Sequence, residues 1–241
     1  MKNVAPVIEA VESTPANYKF PAPVAAAPPN PPALTLPPLG RANSLPAPPR
    51  SADTGVSPPL TYAKGYIGAR WSANDENGDT LRFKIEIRGE HETAWKPLHE
   101  NLQERYYSWD STAYPDGKYR VRVTASDAPS NTPEQALTSS RESDLFLVDN
   151  TAPEINALTA AAQAGKIDVR FHAKDALNLL DKAEYSVNGG EWKVVEPTTR
   201  LTDSQEHDYR FQVDGVATET TIAVRVSDAY DNQTVAKTVV K

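Results

Sequence analysis

Hydrophobic and polar residues alternate along several short runs of the chain that are rich in β-branched and aromatic side chains. Alternation over about four to eight residues predicts β-strands that bury one face. Turn-forming stretches separate the runs: ENGD at 76–79, PDG at 115–117 and NGG at 188–190. No comparable helical pattern is present, and the alanine-rich TAAAQAG at 159–165 is at most a short connector. The apolar positions are Ile67, Ala69, Trp71 and Ala73; Phe83, Ile85 and Ile87; Tyr119, Val121, Val123 and Ala125; Ile167, Val169 and Phe171; Tyr185 and Val187; and Ile222, Val224 and Val226.

The chain also repeats itself. NVAPVIEAV at 3–11 returns as NTAPEINAL at 150–158, and IGARWSANDENG at 67–78 returns as IDVRFHAKDALN at 167–178. TAWKPL at 93–98 matches GEWKVV at 190–195, and YRVRVTASDAPSN at 119–131 matches TTIAVRVSDAYDN at 220–232. The offsets are 147, 100, 97 and 101, so the first unit carries about 47 extra residues after its first strand. A repeat of about 95 residues is a whole domain, too long for one unit of a solenoid.

These patterns predict an all-β chain of two tandem antiparallel β-sandwiches. We expect the first sandwich at 1–148, with a proline-rich insertion at about 18–60, and the second at 149–241. Fifteen of the 21 prolines fall in residues 1–60, which predicts an extended, PPII-like segment there. That segment could serve as a ligand for an SH3-like partner. The favoured interpretation is an insertion that covers the first sandwich, pinned by Leu34, Leu36 and Leu39.

Composition excludes several classes of function. The net charge of −7 and the scattered Lys and Arg residues argue against a nucleic-acid partner. The chain has no cysteine, so disulfides, thiolate metal sites and cysteine nucleophiles are excluded. No apolar run approaches the roughly 18–20 residues that span a bilayer, so we expect no membrane insertion. The N-terminus lacks the apolar centre of a signal peptide, and we expect the chain to be the C-terminal part of a longer protein.

Several of these residues resemble a known family. Trp71, Phe83 and the stretch PDGKYRVRVTASD at 115–127 resemble fibronectin type III or related Ig-like modules of bacterial exported proteins. VDNTAPEI at 148–155 is similar to the linkers that join such modules in tandem, although Thr220 stands where the first unit has Tyr119. With the proline-rich stretch, the whole resembles the C-terminal region of large bacterial surface proteins that begin with a β-propeller. The resemblance implies an extracellular, cell-surface or periplasmic location, and a partner that is an upstream domain, such as a propeller, or another surface protein.

Nothing in the sequence forms a catalytic motif. None of the four histidines lies in a metal-binding spacing, and His91 in GEHET is expected at a solvated hairpin tip. The densest carboxylates, in NDENGD at 74–79, do not face a partner across any predicted cleft, so we expect no enzyme activity. The aromatic run RYYSWDS at 105–111 is either core or a sugar-stacking platform, in which Tyr106 is the exposed candidate. Trp95 and Trp192 hold matched places, which favours a shared packing role.

The best candidate for a binding site is a set of Asp and Asn residues near the linker. In a sandwich of ordinary topology, the loop after the second strand and the loop before the last strand lie at the end where the domain begins. Carboxylate and amide oxygens are the ligands that Ca²⁺ prefers, and cadherin-like linkers clamp Ca²⁺ in such a place. The alternative is that these side chains cap the loop backbones. The predicted ligands in the second unit are Asp149, Asn150, Asp175, Asp228, Asp231 and Asn232, with Asp75, Asp79, Asp127 and Asn131 as counterparts in the first.

The sequence therefore favours a noncatalytic structural or interaction module that spaces or docks another domain of a larger bacterial exported protein. It predicts no cofactor other than this Ca²⁺. The alternative function is a carbohydrate-binding accessory module of an extracellular enzyme, which would have a glycan as its partner.

Overall fold

The computed structural model describes residues 2–22, 58–214 and 219–241. These residues form two antiparallel β-sandwiches, as predicted, and the part of the chain described contains no α-helix. Hence none of the described segments is a helix that could cross a membrane. The predicted contacts of Leu34, Leu36 and Leu39 fall in the segment 23–57, which lies outside the described residues.

The first sandwich packs a three-stranded sheet against a larger one. The three-stranded sheet has the order β1-β4-β7, and the larger sheet has the order β10-β8-β5-β6, with β9 also paired to β8. A 3-10 turn, η1 (Ser111–Ala113), follows β7, and the short pair β2 and β3 joins the two ends of the proline-rich segment. The strands are β1 (Val7–Ser13), β2 (Tyr18–Lys19), β3 (Thr61–Tyr62), β4 (Tyr66–Asn74), β5 (Arg82–Gly89), β6 (Lys96–Leu102), β7 (Tyr106–Asp110), β8 (Gly117–Ser126), β9 (Thr138–Glu142) and β10 (Phe146–Val148).

The second sandwich repeats this arrangement with fewer strands. Its sheets have the orders β11-β12-β15 and β14-β13-β16-β17, so corresponding strands occupy corresponding places in the two units. The sequence repeat is therefore a repeat of topology. The strands are β11 (Glu154–Gln163), β12 (Lys166–Lys174), β13 (Leu180–Val187), β14 (Lys193–Val194), β15 (Glu206–Asp214), β16 (Thr220–Asp228) and β17 (Gln233–Val240).

The alternating apolar residues form the two cores. Trp71 is 5% exposed and meets the Phe83 ring edge-on at 5.5 Å, and Phe171, which aligns with Trp71, stacks on Tyr209 at 4.6 Å. Tyr185 and Val187 are only partly buried, although both pack against the second core. Each core fills the space between its two sheets, and the loops at the ends of the sandwiches are left to carry any binding site.

Two expectations need correction. The stretch 159–165 is not a connector, because residues 159–163 complete β11 and pair with β12 around a turn at Ala164 and Gly165. Phe20, which the sequence placed within the insertion, is buried; its ring lies 5.1 Å from that of Tyr106 and its N–H donates to Ser108 Oγ. The first sandwich thus extends two residues beyond the predicted start of the insertion.

A tyrosine corner closes the first sandwich. Tyr119 is buried at the start of β8, and its hydroxyl donates to the carbonyl oxygen of Pro115 at 2.7 Å. Thr220 holds this place in the second unit, and its buried hydroxyl has no hydrogen-bond partner within the described part of the chain. The corner hydrogen bond therefore belongs to the first sandwich.

We expect Tyr119→Phe to lower the free energy of unfolding by about 0.5–1.5 kcal/mol, because one buried hydrogen bond is lost while the ring stays. Urea unfolding of both proteins measures the difference. Tyr185→Phe, in which the ring stacked on Phe211 at 4.2 Å is kept, is the control and should stay within about 0.5 kcal/mol of the wild type. Equal losses in the two variants would show that the corner hydrogen bond is not what stabilises this turn.

Candidate metal centre

Each sandwich gathers three aspartates at the same end. We call Asp149, Asp175 and Asp228 the junction cluster, and Asp75, Asp79 and Asp127 the N-terminal cluster. Within each cluster one carboxylate oxygen of every residue lies within 4.8 Å of the other two. Asp175 directly follows β12, Asp228 is the last residue of β16, and Asp149 lies in the linker directly after β10.

Backbone amides hold the two loop aspartates of the junction cluster in place. Asp175 Oδ1 accepts from the N–H groups of Leu177 and Asn178 at 2.8 and 2.7 Å. Asp228 Oδ1 likewise accepts from the N–H of Asn232 at 2.8 Å, and its Oδ2 accepts from the Asn232 side chain at 2.9 Å. These are the loop caps that the alternative interpretation expects. They also point both carboxylates toward the linker.

Asp149 differs from these two. It is 5% exposed, and its Oδ1 accepts from the Thr151 N–H at 3.2 Å. Its buried Oδ2 has no hydrogen-bond partner among the residues that the structure describes. Burial, followed by the charges of Asp175 and Asp228, raises the pKa of Asp149 to about 6, although the Thr151 N–H opposes this. Burial also raises the pKa of Asp228 against its hydrogen bonds. At neutral pH the cluster therefore carries negative charge that its protein neighbours do not compensate.

Four of the six predicted ligands lie close together in the structure, and the other two do not. Asp149, Asp175 and Asp228 converge, and Asn232 lies beside them as a donor to Asp228 and to the carbonyl oxygen of Asp149. Asn150 turns away to the first sandwich, where its side chain donates to the Ser111 carbonyl oxygen at 3.2 Å. Asp231 is exposed, and its Oδ2 accepts from the Tyr62 hydroxyl at 3.1 Å.

The N-terminal cluster is more fully hydrogen-bonded. Both oxygens of Asp127 have donors, from the Asn3 side chain at 2.7 Å and the Leu137 N–H at 2.6 Å. Asp79 Oδ2 accepts from the Asn131 side chain at 2.8 Å. Asp75 Oδ2 has no hydrogen-bond partner within the described segments, but this residue is only half buried. The side-chain amides of Asn3 and Asn131 thus supply donors to the carboxylates of this cluster.

The other candidate residues have structural surroundings. His91 is exposed in the turn between β5 and β6, as expected. Trp109 is buried in the core, while Tyr106, the candidate for sugar stacking, is partly covered by Phe20. Trp95 lies against Arg88 and Arg122, at 4.4 and 4.6 Å, and Trp192 lies against Arg225 at 4.3 Å.

Sequence reasoning missed the residues that hold the linker. Asp116, counted only as part of a PDG turn, accepts through Oδ1 from the Asn150 N–H at 2.8 Å and through Oδ2 from the Thr151 hydroxyl. Asn17, at the base of the insertion, donates from its side chain to the Tyr230 carbonyl oxygen at 2.6 Å. Neither contact has a local sequence signal, because the partners lie 34 to 213 residues apart.

Comparisons with known proteins find similarity only among solved structures. No protein-family model and no curated protein matches the chain. The chain resembles the FN1–FN3 domains of chicken CNTN1, with 12% identity and a TM-score of 0.37 over 73% of this chain and 63% of that one. It also resembles dimeric latent PorU from Porphyromonas gingivalis (12% identity, TM-score 0.34, 72% of this chain and 21% of that one). A third match is to fibronectin(III)-like modules of Clostridium thermocellum CbhA (14% identity, TM-score 0.34, 73% and 85%).

Two of the three matched structures consist of fibronectin type III domains or modules. The strand order of the two sandwiches establishes the fold independently. The chain spans less than two thirds of the first two matched structures.

Proposed function

We propose that this chain is a noncatalytic structural module that holds two β-sandwiches in a fixed mutual arrangement and so spaces or docks another part of a larger exported bacterial protein. The observation that carries the proposal is the set of hydrogen bonds that joins the linker and the second sandwich to the first. A chain meant only as a flexible tether would need no such contacts.

The direct contacts run from the base of the insertion to the last loop of the second sandwich. Asn17 is 6% exposed; its Oδ1 accepts from the Gly65 N–H at 2.8 Å while its Nδ2 donates to the Tyr230 carbonyl oxygen. Lys64 Nζ donates to the carbonyl oxygen of Asp231 at 2.6 Å, next to the hydrogen bond from Tyr62 to the same residue. Asn17, Tyr62 and Lys64 all flank the proline-rich segment. The extra residues of the first repeat thus begin and end at the junction.

The linker is held from both sides. Asp116 of the first sandwich binds the backbone of Asn150 and the hydroxyl of Thr151. Asn232 of the second sandwich donates to the carbonyl oxygen of Asp149 at 3.0 Å. With both neighbours bound, the linker has little freedom to swing, and this supports a spacer of defined geometry.

The partner we propose is another domain of the same polypeptide, located upstream, or a second surface protein. The family resemblance of the sequence supports this partner and an extracellular, cell-surface or periplasmic location. The carbohydrate-binding alternative has weaker support, because Phe20 covers part of the Tyr106 ring. A noncatalytic role is supported by two sandwich interiors filled with apolar side chains.

We expect Asn17→Ala to loosen the junction without unfolding either sandwich. The variant loses the hydrogen bond across the junction, so the distribution of distances between spin labels on the two sandwiches should broaden in pulsed EPR. X-ray scattering should show a larger maximum dimension.

Asn101→Ala is the matched control, because Asn101 also has a positive φ, 59° against 65° for Asn17, but lies on an exposed position of β6. It should keep the wild-type distance distribution. A wild-type protein whose distribution is already broad would refute the fixed-geometry module. Saturable binding of the wild type on a glycan array would favour the carbohydrate-binding alternative instead.

A further inference from the structure

We propose that Asp149, Asp175 and Asp228 bind one Ca²⁺ ion at the junction, and that this ion fastens the linker to the second sandwich. The inference rests on the proposed function and deepens it, because it names the ligand that would fix the arrangement of the two sandwiches.

The spacing of the carboxylates fits a shared calcium ion. Calcium binds oxygen at about 2.3–2.6 Å, so two ligands on opposite sides of one ion lie up to about 5 Å apart. The three carboxylate oxygens of the junction cluster lie within 4.8 Å of one another, inside that limit. The backbone hydrogen bonds to Asp175 and Asp228 fix two of the ligands in advance, which lowers the entropy lost on binding.

The unpartnered oxygen of Asp149 points to a missing ligand. All three residues are buried, and no residue of the described ranges 2–22, 58–214 and 219–241 donates a hydrogen bond to Asp149 Oδ2. A buried carboxylate is costly unless it is paired or coordinates a metal. A divalent cation within reach of all three carboxylates would supply the missing interaction and cancel two of the three negative charges.

The composition of the cluster selects calcium among the common cations. The ligands are oxygen only, whereas zinc sites in proteins are built mostly from cysteine and histidine. Magnesium keeps several of its waters and demands near-ideal octahedral geometry, while calcium accepts six to eight oxygens in flexible arrangements. Carboxylates that can bind through one or two oxygens suit the larger ion.

The N-terminal cluster provides the contrast within the same chain. There Lys2 stands where the linker of the second unit has Asp149, and the Asn3 amide donates to Asp127. The amide supplies to Asp127 the polar partner that Asp149 lacks. We therefore expect one tight calcium ion for each chain, at the junction.

The test uses the full chain, freed of metal with EDTA and then dialysed, at pH 7.5. Isothermal titration with CaCl₂ should give one ion per chain, and millimolar Ca²⁺ should raise the melting temperature by several degrees, because the ion binds only the folded state. Asp149→Asn removes one ligand charge and should weaken calcium binding at least about tenfold, since charge count tunes calcium affinity. Asp175→Asn should do the same and serves if Asp149→Asn does not fold.

Asp181→Asn is the matched control. It makes the same chemical change at an exposed position of β13, next to Leu180, which pairs with Asp228. It should keep calcium affinity within about twofold of the wild type, since a lone surface charge acts weakly through water. A loss as large as that of Asp149→Asn would show diffuse attraction of cations and overturn the proposed site.

Superimposable wild-type melts in Ca²⁺ and in EDTA would also overturn the site, as would unchanged calcium affinity in Asp149→Asn. Pulsed EPR in EDTA separates this failure from failure of the module. A narrow distance distribution without calcium would support the fixed-geometry module and show that its hydrogen bonds alone fix the arrangement of the two sandwiches. A distribution that stays broad with and without calcium would refute the fixed-geometry module, while the titration alone decides whether the calcium site exists.

Discussion

Replacing Trp71 with alanine should lower the free energy of unfolding by about 3–5 kcal/mol, the range for removing a large buried aromatic side chain. Trp71 lies on β4 at the centre of the three-stranded sheet, between β1 and β7, and its ring packs on Phe83 from the opposite sheet. The first core would lose contacts to both sheets at once. Denaturant unfolding followed by circular dichroism measures the loss.

Two further variants test whether the loss of stability comes from the burial of Trp71 or from the removal of any tryptophan side chain. Trp71→Phe should cost much less than Trp71→Ala, because Trp71 Nε1 has no hydrogen-bond partner in the described part of the chain and an aromatic ring still fills most of the space. Trp192→Ala removes the same atoms from a residue that is 37% exposed, so its cost should be well below that of Trp71→Ala. A loss below about 1 kcal/mol for Trp71→Ala would contradict the assignment of this residue to the core.

The alternation of apolar residues predicted the fold because most strands bury one face. Ile67, Trp71 and Val123 were assigned from this pattern, and each is buried in the first core. The second half of β11, residues 159–163, was missed for the opposite reason. It is an edge strand whose residues are mostly exposed, so its alanines carry no alternating pattern, and alanine does not favour strands. The two-residue strands β2 and β3 are too short to leave any periodic signal.

Ordinary sandwich topology predicted which aspartates meet, but not where each neighbouring side chain points. Asp175 and Asp228 hold matched places in the two loops of the repeat, and their convergence follows from topology alone. Asp231 follows Asp228 closely, but its backbone has a φ of 61° and its carboxylate contacts Tyr62. The Asn150 side chain donates a hydrogen bond to the Ser111 carbonyl oxygen of the first sandwich. Such choices depend on contacts between distant parts of the chain, which residue spacing does not encode.

Each unit also places a Glu–Arg ion pair beside a tryptophan at matched positions, which residue spacing did not predict. Glu86 and Glu184 are buried on the outer faces of the larger sheets, each bound by an arginine of the adjacent strand, Arg122 or Arg225. Each arginine in turn lies over the matched tryptophan, Trp95 or Trp192. The shared packing role predicted for these two tryptophans is therefore to pack against the arginine of an ion pair on the outer face of the sheet, in addition to burying apolar area.

Replacing Glu86 with glutamine should lower the free energy of unfolding by about 1.5–3 kcal/mol at pH 7, the range for hydrogen bonds to charged groups. Glu86 is 7% exposed, and its Oε2 accepts from Arg122 Nε and Nη2 at 3.1 and 2.8 Å while Oε1 pairs with Lys84 at 3.0 Å. The neutral amide keeps the shape of the side chain but leaves the buried side of Arg122 without its counter-charge.

The effect should depend on pH with a definite sign. Burial acts to raise the pKa of Glu86, but the hydrogen bonds from Arg122 and Lys84 outweigh it and hold the pKa below its ordinary value of 4.5. A carboxylate with a lowered pKa in the folded state stabilises the protein fully above its unfolded pKa. That stabilisation disappears as the pH falls through the lower, folded pKa. The difference in unfolding free energy between wild type and Glu86→Gln should accordingly be constant from pH 6 to 8 and shrink steadily below about pH 4.5.

Urea melts at a series of pH values measure this difference. Glu90→Gln, on the exposed turn after β5, is the control and should show little change at any pH. A difference that stays constant down to pH 3 would mean that Glu86 stabilises the sheet by its packing and not by its charge.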